Sequence, residues 1–117
     1  MSTIKDLIAF QKLEDLTIVL HKMLSIIPKK EQFALSEDIK KQLYLISRLM
    51  IHINILRSGR KEYFTKLSEE FDFLFYLIRL VYKLEYISSR QYMNISEKVN
   101  EVIKICCGWL DNTDSEK

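Results

Sequence analysis

Four stretches with apolar residues at three- and four-residue spacing constrain this chain more than anything else in it. They run over residues 4–27, 32–58, 60–86 and 89–110, and that spacing marks one face of an α-helix. Pro28, the Ser58-Gly59-Arg60 step and Ser88-Ser89 separate them. With two glycines and one proline in 117 residues there is almost no loop material, which favours long helices over a sheet. Short connections turn consecutive helices back on one another. The expected fold is therefore all-α, an up-down-up-down antiparallel four-helix bundle. It should form one domain over 1–111, followed by a polar C-terminal tail at 112–117 that reads as frayed.

The ends of the helices carry their own signals. Pro28 pushes Ile27 out of the helical region and stops helix 1. Helix 2 begins either at Glu31 or at Ser36, which followed by Glu37 and Asp38 reads as an N-cap; in the second case Phe33 and Leu35 pack down as a plug in the connection. Gly59 reads as a left-handed cap that ends helix 2. Ser88 and Gln91 have the spacing of a capping box at the start of helix 4.

Two helices carry more apolar surface than one bundle can bury. On helix 3 the apolar positions, Phe71 and Phe73 through Leu84, cover roughly 220° of the circumference, about twice the stripe a surface helix needs. Helix 2 has a core stripe of Ile39, Leu43, Ile46, Leu49, Met50, Ile53 and Leu56. Tyr44, Ile51 and Ile55 form a second stripe on another side. Such a surplus points to association. Tyr44, Ile51, Ile55, Phe73 and Phe75 are the candidate oligomer-interface residues.

Sequence signals for catalysis are missing. Neither His21 nor His52 follows a glutamate by three positions, as a di-iron bundle requires, and Cys106-Cys107 lacks the two-residue gap of a thiolate ligand pair. There is no glycine-rich phosphate loop. The expectation is no enzyme, no metal and no cofactor. The adjacent cysteines do not form a disulfide framework and suit a reducing compartment. The N-terminus lacks a secretory pattern, and the longest apolar run, Phe73 to Val81, is interrupted by Arg79 and too short to span a bilayer. A cytoplasmic chain without membrane contact is expected.

What remains is charge. The formal net charge is only +2, yet residues 29–66 hold nine Lys or Arg against four Asp or Glu. Lys41 and Arg48 follow one side of helix 2. Arg57, Arg60 and Lys61 cluster at the helix 2–3 turn, and Arg79 and Lys83 share the polar face of helix 3. Cations set along helix faces can track phosphates without reading sequence. These seven residues are the candidate nucleic-acid contacts.

From Ile26 to Leu110 the chain resembles the bacterial four-helix-bundle proteins that include the accessory variability determinant of diversity-generating retroelements. Relatives in that group are encoded in intervening sequences of 23S ribosomal RNA genes. The matching text is Ile27-Pro28-Lys29-Lys30-Glu31-Gln32-Phe33-Ala34-Leu35, Leu77-Ile78-Arg79-Leu80, Tyr86-Ile87-Ser88-Ser89-Arg90-Gln91-Tyr92 and Gly108-Trp109-Leu110. The resemblance implies a homopentamer that binds RNA or RNA–DNA and docks on a reverse transcriptase during mutagenic copying. It implies no catalytic site. The intervening-sequence relatives imply a rival, a structural oligomer with no nucleic-acid role. Phe75 stands where the family often has a second basic residue, and Lys83 where it is commonly acidic or neutral. Both shift the basic pattern along helix 3.

Overall fold

A computed structural model describes residues 4–56 and 58–115. Among them are four α-helices: α1 (Ile4–Leu24), α2 (Leu35–Ile55), α3 (Arg60–Lys83) and α4 (Ser89–Ser115). The packed neighbours are α1 with α2, α2 with α3, α3 with α4 and α4 with α1, which closes a four-helix bundle 48 Å long. Contacts along each seam run in opposite senses. Gln42 meets Glu70 while His52 meets Tyr63, so α2 and α3 are antiparallel. Phe71 and Leu67 line a cleft with Cys106 and Ile103, and Tyr82 stacks on Tyr92, so α3 and α4 are antiparallel too.

One apolar core runs through all four helices. Leu16 and Leu20 of α1, Ile39, Leu43, Ile46, Met50 and Ile53 of α2, Leu74 and Ile78 of α3, and Ile95 and Val99 of α4 are closed to solvent. Every member of the expected α2 core stripe is buried except Leu56, which is half-buried just past the helix end. Gln42 is the buried amide in this core. Its Nε2 donates to the Glu70 carbonyl at 2.8 Å and to Glu70 Oε1 at 3.1 Å, so its burial between α2 and α3 is compensated.

Several helix ends differ from expectation. Regular α1 stops at Leu24, and Ile26 and Ile27 donate to the carbonyls of Met23 and Leu24 instead, tightening the last turn. A short 3-10 helix, Lys29–Glu31, follows Pro28. The Gln32 amide then closes off α1 by donating to the carbonyls of Leu24 (2.9 Å) and Ile27 (2.8 Å). The N-cap of α2 is Ala34, not Ser36. Asp38 N–H already donates to the Ala34 carbonyl at 2.9 Å, which places Ser36 inside the first turn, buried, with its hydroxyl unpartnered. Glu37 and Asp38 do lie in that turn. Phe33 is no plug, being 96% exposed, and Leu35 is half-buried as the first residue of α2.

Gly59 is left-handed, with φ 69°, but it precedes α3 and caps that helix; α2 leaves its last turn through an extended Leu56. Arg60 reaches back, its Nε donating to the Ile53 carbonyl at 3.1 Å. At the end of α3, Tyr86 N–H donates to the Val81 carbonyl and Glu85 N–H to the Tyr82 carbonyl. This pair of bonds is a Schellman closure, and its left-handed position (φ 64°) is held by Glu85 where glycine is usual. The capping box at α4 is present. Ser88 N–H donates to Gln91 Oε1 at 2.8 Å, and Gln91 N–H to Ser88 Oγ at 3.1 Å. The α4 backbone is helical to Ser115, beyond the expected end at Leu110.

Candidate nucleic-acid and docking surfaces

The outer face of α2 combines the two kinds of candidate residue. At about 100° per residue, Tyr44, Arg48, Ile51 and Ile55 fall within roughly 60° of one another, with Lys41 on their edge. All five are exposed: Tyr44 and Ile51 by half and Ile55 by 71%. The apolar stripe and the cations therefore share one mixed face rather than lying on separate sides. Their position follows from the core stripe, because Ile39, Ile46 and Ile53 point inward and leave these residues opposite.

That face continues onto α1. Leu13, Glu14, Thr17 and Ile18 line a shallow groove with Ser47 of α2, and Ile51 lies one turn beyond Ser47. Ile18 and Leu7 are both more than half exposed, and eleven residues apart they lie on the same side of α1. Tyr44 is tied to α1 as well, its hydroxyl 3.0 Å from His21 Nε2. By spacing alone Leu7 belongs to the apolar repeat of helix 1 and Ile18 does not, yet both are exposed. The position of Ile18 off that repeat was the available signal.

The apolar excess of α3 divides. Phe73 is exposed and stacks on Tyr76, ring centroids 6.2 Å apart and planes 19° apart. Phe75 lies on the other side of the helix, half-buried against the core. The two phenylalanines do not share a surface. Leu80, Val81, Leu77 and Ile78 are covered to differing degrees by the core, which accounts for most of the wide arc.

The candidate cations do not form one track. Lys41 and Arg48 lie on the outer α2 face. Lys61 is exposed at the beginning of α3. Arg60 beside it is half-buried, bonded to Ile53, with its guanidinium 5.8 Å from the centre of the Phe64 ring. Its charge is held close to the bundle end. Arg57 lies outside the described residues. Arg79 and Lys83 are exposed on the side of α3 toward α4, since Asp72, seven residues before Arg79, lines the cleft against α4. Lys61 and Lys83 are separated by about 33 Å along α3 at 1.5 Å per residue.

The α3–α4 cleft, about 200 Å³, is lined by Phe64, Leu67, Ser68, Phe71, Asp72, Ile103, Cys106 and Cys107. Burial, with a smaller contribution from Cys107, pushes the Cys106 thiol up to about 12, so it stays protonated at neutral pH. His52 packs its ring edge against Tyr63, centroids 4.7 Å apart. Among the described residues no group of three His, Cys, Asp or Glu could hold a metal ion, and no helix is long and apolar enough to cross a membrane.

A sequence profile of the family described as bAvd-like matches residues 7–113, nearly the whole chain. No curated protein matches it.

Proposed function

The chain belongs to the bAvd-like family, and from that premise we propose that it is an accessory protein of a diversity-generating retroelement. In this reading it binds RNA and cDNA without sequence preference and associates with the reverse transcriptase during mutagenic copying. It works as a homo-oligomer of the pentameric kind and contributes surfaces rather than a catalytic centre.

The observation that carries the proposal is the outer face of α2, where Tyr44, Ile51 and Ile55 are interleaved with Lys41 and Arg48. Apolar groups exposed in this number favour association. Cations among them supply counterion-release affinity for phosphates. Repetition around a ring would multiply a modest stripe into a basic band, which reconciles nucleic-acid binding with a net charge of only +2. Lys61, Arg79 and Lys83 add charge at either end of α3.

Co-expression with the reverse transcriptase of the same retroelement tests the reading. The two proteins should co-elute, with nuclease-sensitive RNA in the complex, and Ile51→Glu with Ile55→Glu should release the chain as a 14 kDa monomer. An oligomer that retains neither enzyme nor RNA would instead favour the structural bundle of the intervening-sequence type.

A further inference from the structure

We infer that Phe33, together with Lys29 and Lys30, is a stacking platform for single-stranded nucleic acid at the α1–α2 end of the bundle. The inference rests on the nucleic-acid half of the proposed function but places a base contact away from the outer α2 face.

Phe33 is 96% exposed, whereas the next most exposed large apolar residue among the described side chains, Ile55, is at 71%. Side chains on a helix surface are partly covered by their neighbours; this ring is covered by nothing. The backbone beneath it is nonetheless fixed. Glu31 N–H donates to the Pro28 carbonyl at 2.9 Å, Gln32 N–H to the Lys29 carbonyl at 3.1 Å and Ala34 N–H to the Glu31 carbonyl at 3.1 Å. The Gln32 side chain bonds two carbonyls of the α1 end, and the Tyr86 hydroxyl donates to Glu31 Oε2 at 3.0 Å. Six bonds thus fix the backbone from which the bare phenyl ring projects. A phenylalanine has only two side-chain torsions, so on a fixed backbone it loses little conformational freedom when a flat partner covers it.

The flanking charge decides what that partner is. Lys29 and Lys30 stand four and three residues before Phe33 in the same short connection. Both lysines are exposed and neither enters an ion pair among the described residues. The nearest acid in the segment, Glu31, is engaged by Tyr86. A protein anchor would sit within a ring of apolar contacts. Here the segment around Phe33 offers Lys29, Lys30, Gln32 and Ala34 instead. An aromatic face with adjacent unpaired cations suits a base and its flanking phosphates, the combination that single-strand binding proteins use.

The test is fluorescence anisotropy with labelled single-stranded oligo(U) and a matched RNA duplex, using the full chain. Phe33→Ala should weaken oligo(U) binding by about 5- to 150-fold, the range of one lost base stack, and leave duplex binding unchanged. Phe33→Trp should restore it, with the new tryptophan quenched on binding. Lys29→Ala with Lys30→Ala should lower the salt slope. If Phe33→Ala binds oligo(U) as tightly as the parent while Lys41→Glu with Arg48→Glu loses affinity, the platform is overturned and the proposed function stands. If the parent binds neither RNA, both fall. If Phe33→Ala abolishes co-elution with the reverse transcriptase and leaves oligo(U) binding intact, the ring is a protein anchor and the inference is wrong.

Discussion

The Tyr86 hydroxyl donates to Glu31 Oε2 at 3.0 Å, fastening the α3–α4 connection to the α1–α2 connection at one end of the bundle. The bond to Glu31 is the main reason the Tyr86 phenol is held above its usual value of 10.0, with lesser contributions from desolvation and the Glu31 charge. A raised folded value means the bond's contribution is present in full below pH 10 and is lost as pH rises through the raised value. Ultraviolet titration should therefore show one tyrosine ionising later in the parent than in Glu31→Gln. Superimposable titration curves would contradict the bond.

Cys106 and Cys107 are adjacent in sequence and opposite in environment, one buried against the α3–α4 cleft and one exposed. Iodoacetamide at neutral pH should label Cys107 and spare Cys106, as read by peptide mass spectrometry. The Cys106 thiol is raised from 9.0 to about 12. The unfolded chain therefore releases this proton first, and stability should fall as pH climbs from 9 toward 12. Cys106→Ala should remove that part of the alkaline slope. Equal labelling of the two cysteines would refute the burial.

Ser36 buries a hydroxyl that finds no partner. Ser36→Ala removes an uncompensated polar group and improves helix propensity, so urea denaturation should show stabilisation of about 1 kcal/mol. A loss of stability would mean that Ser36 caps α2 after all.

Glu85 occupies the left-handed position of the Schellman closure at φ 64°. A non-glycine residue there costs about 1 kcal/mol. Glu85→Gly should raise the melting temperature by several degrees, given roughly 4–8 °C per kcal/mol for domains near this size. No change would indicate that the side chain repays the strain.

The four helices and the α2 core stripe were legible because Ile39, Leu43, Ile46 and Ile53 repeat at the helical period, and that period depends on backbone geometry alone. The Ser88–Gln91 box was legible for the same reason, as a strictly local pattern. Ser36 misled because a capping side chain is recognised by sequence, whereas the start of α2 was set by the earlier Ala34–Asp38 bond. The exposure of Phe33 was not legible, since it depends on where Gln32 finds its carbonyls eight and five residues back. The seven candidate cations were individually visible. Their division among separate surfaces was not, because it depends on which sides of α3 face α2 and α4.

In the proposed function the exposed cations bind the RNA backbone, with Lys41 and Arg48 at the heart of the α2 face. The most direct measurement is anisotropy of a mixed-sequence single-stranded RNA titrated with the chain at several salt concentrations. The logarithm of the affinity should fall linearly with the logarithm of salt, by about 0.7 per phosphate contacted. Lys41→Glu with Arg48→Glu should make that slope shallower. No binding at the lowest salt, or affinity indifferent to salt, would rule out phosphate binding by these cations.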